Sequence, residues 1–428
     1  MTITACVDYE DPTGYVQPKI IKALQKYEPD VEITDEPTSH LQWSAYETID
    51  WDHIQSNPTT SLACSYVIRK ALIRKHYLSN TVSSWLVKHP ESVLGRHVPE
   101  TYHLELDYVE YLDEALEEMY ELRQSLEGNE EREQEGREWW ILKPGMSDRG
   151  QGIRLFSTYD ALESIFQEFE PESDDEDDGS SSFPTTGEDK SDTGVITSQL
   201  RHFVVQRYLP NPLLLSLPAT GQNHKFHLRV YVVAAHALRV YVYRDILVLS
   251  ASEPYTPPKA AAGEDGDGLG LEAHLTNTCL QSGERQAGSV HRFWSPSTLL
   301  PHKDAIYDQI AAVVGEVFKA AVGSQRIHFQ TLPNAFEVFG LDFLVAEGDE
   351  GTGVPRVELL EVNSYPDFKQ TGKELGEVVE GLFEGVAEKV IRPFFCKEVD
   401  VSGEGEEGTE SKEERMRLVY EEDLMGGW

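Results

Sequence analysis

The 428-residue sequence predicts an α+β protein, and three observations carry that reading. Two runs rich in Val, Tyr and Leu, 225–235 and 238–251, stand back to back across a short turn at 235–237. Two further apolar runs, 336–346 and 356–363, flank a Gly-rich loop at 347–355. Stretches with helical spacing, 303–321 and 373–391 among them, lie between and after these runs. Apolar runs bounded by turn residues read as strands, and apolar steps of three and four read as helices.

Taken in order, residues 1–60 are polar and show no clear period. Residues 61–78 place Cys64, Val67, Ile68, Ala71 and Leu72 on one helical face, with Arg69 and His76 on another. They predict one basic amphipathic helix. Residues 106–127 predict a second helix, with Leu112, Leu116, Met119 and Tyr120 as its apolar positions. A strand follows at 139–143, stopped by Pro144, then a Gly-containing turn at 145–152, a returning strand at 153–156 and a helix at 158–169. The acidic, Ser-rich run 170–194 is expected to stay disordered, because it cannot bury enough apolar surface to offset its ordering entropy. Order is expected again at 203–209, whereas the Pro-, Gly- and Asp-rich run 257–271 reads as a loop.

Charge narrows the function. The chain has 37 basic and 75 acidic residues, formally −38. Residues 168–194 carry −10 and residues 398–428 carry −8, so the remainder is still near −20. Nucleic acid and anionic membrane are therefore not expected partners. The four Cys, at 6, 64, 279 and 396, form no C-x-x-C pair and read as reduced thiols. The N-terminus lacks the pattern of a signal peptide, and Arg229, His236, Arg239 and Arg244 interrupt the longest apolar stretch. A cytoplasmic protein is expected.

The chemistry concentrates in the late strands. Glu361 and Asn363 stand two apart, so they share a strand face, and a suitable hairpin register would set Asp342 opposite them. Asp, Glu and Asn oxygens suit Mg²⁺, though a polar sheet edge would carry the same residues. Lys143 ends a strand beside a turn containing Gly145, Gly150 and Gly152, where backbone N–H groups can approach phosphate. That turn is not a Walker A loop, since Gln151 stands where its Lys belongs. Lys225, His227 and Arg229 share one strand face, and Arg244 lies on the next strand. His224 and His227 have metal-like spacing but point to opposite faces of a strand, so they should not share an ion. The glycines at 266, 268 and 270 lack the preceding strand of a dinucleotide fingerprint.

The segments YVIRKALIRKHYL, WWILKPGMSDRGQGI, FVVQRYLPNPLLL, HKFHLRVYV, VYVYRD, HLTN, FEVFGLDF and LLEVNSYP occur in this order. Together they resemble the tubulin–tyrosine ligase family of the ATP-grasp superfamily, over roughly residues 65–392, and are similar to a fungal subgroup of it. The resemblance implies an ATP-grasp fold with nucleotide between central and C-terminal lobes. The lobes are expected at 1–100, 101–202 and 203–397, with an acidic tail at 398–428. It also implies ATP and Mg²⁺ as cofactors. Lys143 would contact the α- and β-phosphates. Ser147, Arg149, Gly150 and Gly152 would close over the phosphates. Gln206, Arg207, Tyr208 and Leu209 would form the hinge that holds adenine. Lys225 would lie near the nucleotide, and Arg229 near the γ-phosphate. Arg244 would reach the acceptor, with Thr276 and Asn277 nearby. Asp342, Glu361 and Asn363 would hold the metal. His227 departs from the family pattern, which has Asp there, and Arg207 stands where Lys is common.

The expected activity is ATP-dependent ligation of an amino acid to a protein or peptide carboxylate through an acyl-phosphate. A nucleotide-binding scaffold without ligase activity, acting in a protein complex, is the alternative. Tubulin, whose acidic tails a surface near −20 would repel, is a disfavoured acceptor unless Arg69, Lys70, Arg74, Lys75 and His76 form a basic groove. The segment 415–428 is apolar enough to dock on a partner or on this protein, although a frayed terminus is the simpler expectation.

Overall fold

Residues 1–60, which show no clear period in sequence, and two near the start of the next run build a parallel sheet from β1 (Thr4–Asp8), β2 (Glu32–Thr34), β3 (Leu41–Ser44) and β4 (Leu62–Ala63), in the order β2-β1-β3-β4. Strands of two to five residues are too short to display a period. The structure, a computed structural model, describes residues 2–9, 13–145, 152–169, 202–217, 221–258, 271–276, 288–348, 351, 353–371, 375–396 and 414–422. The chain divides into two compact units. One comprises Met1–Pro99, Asn211–Thr256 and Leu271–Trp428; the other comprises Glu100–Pro210 and Pro257–Gly270.

In the first unit, helix α1 (Gln17–Tyr27) buries Ile20, Ala23 and Leu24. The single helix expected at 61–78 does not form. Its first residues join β4, and the rest breaks into α2 (Lys70–Ile73) and α3 (Lys75–Lys88), with Arg74 extended between them. Tertiary contacts override the local period. Leu62 and Ala63 pair with β3, and Glu337 accepts from the Tyr66 N–H at 3.2 Å and ion-pairs with the Arg69 guanidinium at 2.7 Å.

The second unit is an antiparallel sheet of β5 (Thr101–Glu105), β6 (Trp140–Pro144), β7 (Arg154–Phe156) and β8 (His202–Arg207), in the order β5-β8-β6-β7. The β6–β7 hairpin forms as expected. The helix expected at 106–127 is instead two, Leu112–Glu117 and Tyr120–Glu130; Leu112, Leu116 and Met119 are buried, but Tyr120 is exposed. One sheet face, with Leu104, Trp140, Leu142, Phe203 and Val205, packs on α4 (Tyr159–Phe169). The opposite face carries Thr101, His103, Glu105, Lys143, His202 and Gln206, as the strand pairing requires.

The large sheet of the first unit holds β9 (Leu214–Ser216), β10 (Asn223–Ala235), β11 (Arg239–Tyr243), β12 (Leu247–Ser250), β13 (Val290–Arg292), β14 (Phe336–Ala346), β15 (Arg356–Ser364) and β16 (Met416–Glu421). The run 238–251 is thus two strands along one edge of β10, and the register shifts by two residues at 244–246. β10 is buried on both faces, which explains the unbroken apolar run of its second half, 230–235. Leu228, Val230 and Val232 face α5 (Lys303–Ser324), while Tyr231 and Val233 face α1 and α6 (Gly376–Val386).

The acidic tail, where a frayed terminus was the simpler expectation and docking on this protein the other, contains β16, which completes the sheet by pairing with β11. A six-residue segment containing Val419 and Tyr420 takes the open edge of β11 on this same chain. Glycines make room for it: a Cβ on Gly315 of α5 would stand 2.8 Å from the Val419 carbonyl, and one on Gly385 of α6 would stand 2.6 Å from Met416. Arg415 and Arg417 pair with Glu384 and Asp308 at 2.8 and 2.6 Å. Gly315→Ala is therefore expected to loosen β16 despite its better helix propensity. Amide hydrogen exchange at 416–421 should quicken at least about tenfold while β14 stays protected; unchanged exchange at β16 would refute this.

Candidate active site

Three neighbouring strands bring the central residues together. Arg229 of β10 lies opposite Asp342 of β14, and Asp342 lies opposite Glu361 of β15. A one-residue bulge makes this row. Asp342 pairs with Glu361, but Phe343 pairs with Leu359, so Leu360 is extra. Val357 and Leu359 before the bulge, and Val362 after it, all enter the core facing α5. The side-chain parity therefore reverses at Leu360, and Glu361 and Asn363 face Asp342 instead of entering the core.

The contacts are close and polar. Arg229 grips Asp342 with two parallel hydrogen bonds, Nε to Oδ1 at 2.5 Å and Nη2 to Oδ2 at 3.0 Å. The Asn363 amide donates to Asp342 Oδ2 at 3.3 Å and to Glu361 Oε1 at 3.2 Å. Lys75, at the start of α3, places Nζ 3.8 Å from Glu361 Oε2. His227 is buried beside the row, with Nδ1 2.6 Å from Thr276 Oγ1 and Nε2 3.6 Å from Asp342 Oδ1.

Burial sets the electrostatics. It raises the Asp342 carboxyl to about 6, against the pull of the Arg229 guanidinium and with Glu361 adding to the rise. Burial alone would lower Arg229, but the Asp342 carboxylate more than offsets it and raises the guanidinium. His227 falls to about 3, first through burial and then through Arg229, so its ring is neutral at physiological pH.

The donor set fits a hard divalent cation. Two carboxylates are close enough to share one amide, and a turn of that amide presents its oxygen to the same point. Among the described residues no three His, Cys, Asp or Glu side chains gather as metal ligands, so the amide oxygen is needed. His224 makes its own contact, Nδ1 to the Ala251 carbonyl at 3.0 Å, apart from His227.

The second unit holds the other cluster. Lys143 donates to Gln206 Oε1 at 2.7 Å, and Gln206 Nε2 donates to Thr101 Oγ1 at 3.1 Å. Beyond Gln206 the backbone N–H groups of Arg207 and Tyr208 are bonded to the Glu100 and Trp139 carbonyls, both at 2.8 Å. Leu209 follows, half-buried. Gly152 has φ 71°, a conformation that favours glycine. Ser147, Arg149, Gly150 and Asn277 lie outside the described residues. Lys225 is buried on β10, on the face of His227 and Arg229.

Arg244 is not brought to this row. It stands at the register shift after β11, with its guanidinium 4.2 Å from the Trp294 ring centroid and 5.3 Å from that of Tyr307 on α5. It borders a separate cavity with Asp304, Asp308, Glu414 and Arg417. It continues the alternation of Val240 and Val242, whose side chains lie on the sheet face that packs against α5. Lys75 was read from the sequence only as part of a basic surface. Its place in the predicted cluster was the sole signal, because the break at Arg74 that aims it had none.

A family model described as the tubulin-tyrosine ligase family matches residues 64–398. The chain is 46% identical over 400 residues to a probable tubulin–tyrosine ligase of Schizosaccharomyces pombe, covering 92% of each chain. It is 41% identical over 401 residues to the probable tubulin–tyrosine ligase PBY1 of Saccharomyces cerevisiae, spanning 90% of this chain and 51% of that protein. A solved structure, the C-terminal domain of K. lactis Pby1, is described as an ATP-grasp enzyme interacting with the mRNA decapping enzyme Dcp2. It superposes with a TM-score of 0.67 at 35% identity, covering 98% of this chain and 99% of that one.

Proposed function

We propose, because this chain belongs to the tubulin–tyrosine ligase family and has an ATP-grasp fold, that it uses ATP and Mg²⁺ to join an amino acid to a protein or peptide carboxylate. The observation that carries the reading is the row Arg229–Asp342–Glu361–Asn363, an oxygen-rich site with a fixed cation on one side.

In such a ligation the acceptor carboxylate takes the γ-phosphoryl group of ATP and ADP departs. The amine nitrogen then attacks the acyl carbon and phosphate leaves. No covalent nucleophile from the protein is needed. Asp342, Glu361 and Asn363 would hold Mg²⁺, which when bound neutralises phosphate charge. Arg229, locked by Asp342, presents a guanidinium that cannot swing away from developing negative charge. Lys143, steadied by Gln206, offers a second fixed cation for phosphate. His227, neutral by burial, offers a hydrogen bond without charge where the family has a carboxylate.

Charge disfavours an acidic tail as acceptor, apart from Lys75 at Glu361. One observation favours a second reading. The solved relative is described as interacting with a decapping enzyme, and a nucleotide-binding partner in such a complex need not ligate anything. No helix among the described residues is long and apolar enough to cross a membrane.

An amino-acid screen separates the two readings. ADP release that depends on one amino acid, with mass added to an acceptor peptide, is the expected result. Nucleotide binding with no turnover across all amino acids and acceptors supports the scaffold.

A further inference from the structure

The cavity beside Arg244 has no role in the account above. It encloses about 370 Å³ and is lined by Arg244, Asp304, Tyr307, Asp308, Glu414 and Arg417. These residues come from the end of β11, the first turns of α5 and the start of β16. The cavity belongs to the α5 side of the large sheet. Tyr307 packs into the same core as Leu228, Val230, Leu341 and Phe343. Arg229 and Asp342 alternate with those four along β10 and β14, so the row they form stands on the other face.

An unsatisfied group marks the cavity floor. Tyr307 is 4% exposed, and its hydroxyl has no hydrogen-bond partner among the described residues. A buried hydroxyl is normally paired, because an unmade bond forfeits what water would supply. Burial raises the Tyr307 pKa, and the charged groups that act on the hydroxyl are Arg417, Arg244, Asp308 and Glu414. All four line the cavity, so the hydroxyl is aimed among them.

Both guanidiniums are held against the Tyr307 ring. That of Arg244 lies 5.3 Å from its centroid, and that of Arg417 lies 5.5 Å from it. The backbone of Arg244 is fixed on both sides: its N–H donates to the Arg415 carbonyl at 3.0 Å, and its carbonyl accepts from Trp294 Nε1 at 2.7 Å. Arg417 donates to Asp308 Oδ1 at 2.6 Å. Asp304, Tyr307 and Asp308 stand at i, i+3 and i+4, which sets them on one face of α5.

Charge decides what would fit. The lining mixes two guanidiniums with three carboxylates. A simple anion would meet the carboxylates, and a simple cation would meet the guanidiniums. A molecule with both signs a few bonds apart matches both sets. The volume lies at the low end of small-ligand pockets, about 300–1,000 Å³, which suits a ligand of few atoms.

We propose that this cavity binds a free α-amino acid as its zwitterion, the carboxylate accepting from Arg244 and the Tyr307 hydroxyl and the ammonium donating to Asp304. Such a ligand would tie α5 to the end of β11 and, through Arg417 and Glu414, to β16. The site is distinct from the row and does not depend on the nucleotide reading.

The test is calorimetric titration of the full chain with each of the twenty amino acids, and with acetate and methylamine as its two halves. ATP and Mg²⁺ are left out. The expected result is saturable binding of at least one amino acid, with acetate and methylamine at least about tenfold weaker. Tyr307→Phe should lower that affinity about tenfold, the scale of a lost hydrogen bond to a charged group. Its denaturant midpoint should not fall, because the hydroxyl has no protein partner to lose. Asp304→Asn, at an exposed position, should lower the affinity about threefold. The bound amino acid should also slow amide exchange at 416–421. No saturable binding by any of the twenty would overturn the proposal. Acetate binding as tightly as the amino acid would make this an anion site and overturn it too. Wild-type affinity in both variants would place the bound amino acid elsewhere, with the same consequence.

Discussion

Replacing Arg229 by Met is expected to destabilise the first unit by about 3–5 kcal/mol at pH 8, because it leaves the Asp342 carboxylate buried without its guanidinium. The pH dependence identifies the cause. Asp342 is already raised to about 6 by burial, above its unfolded value, and without Arg229 it would rise further. A carboxyl raised in the folded state is no liability below its unfolded pKa, and it costs progressively more as pH climbs through the folded pKa. The variant should therefore approach wild type on acidification from pH 8 to pH 5. His227, lowered to about 3 by burial and then by Arg229, also loses stability over the acidic range, and less so once Arg229 is gone, so it closes the gap in the same direction. Denaturant unfolding of both proteins at the two pH values measures this. A gap of the same size at each pH would mean that lost packing, not an abandoned charge, is responsible.

Glu361→Gln is expected to do the reverse: little to stability, much to chemistry. Glu361 is only half-buried and touches Lys75 and Asn363, so a neutral isostere of equal size should cost under about 1 kcal/mol. A cation at the row would lose one of its two anionic ligands. Added Mg²⁺ should then no longer strengthen ATP binding, and any ligation rate should fall about 10²–10³-fold, the scale seen when one charge-stabilising group is removed. The binding half of the test does not require an acceptor to be known. ATP affinity in the variant that still rises with Mg²⁺ as in wild type would remove Glu361 from the metal site.

What the sequence disclosed followed physical rules of differing reach. The long strands at 336–346 and 356–363 and the helix at 303–321 were legible because each is long enough to show its period. Asp342, Glu361 and Asn363 were legible as a set because strand parity is local. Their convergence was not, since it depends on a hairpin register that only pairing fixes. Three features were misread or hidden for one reason: long-range contact decides them. Glu337 and β3 pull residues 62–69 out of the expected helix. The packing of α5 on the face of Val240 and Val242 draws Arg244 to Trp294 and Tyr307. The open edge of β11 captures the C-terminal strand.

The extra residue at Leu360 works like a reading frame for side chains. Upstream of it one set of β15 residues looks into the core, and downstream the complementary set does. The functional row is thus specified by a count as well as by composition. Exchange of Leu360 for another residue leaves the frame intact. Gain or loss of one position there would keep every letter of Glu361-Val362-Asn363 while sending Val362 toward Arg229 and both polar groups toward α5. In this family fold, alignments of β15 that are correct in identity but off by one in length would describe a different surface.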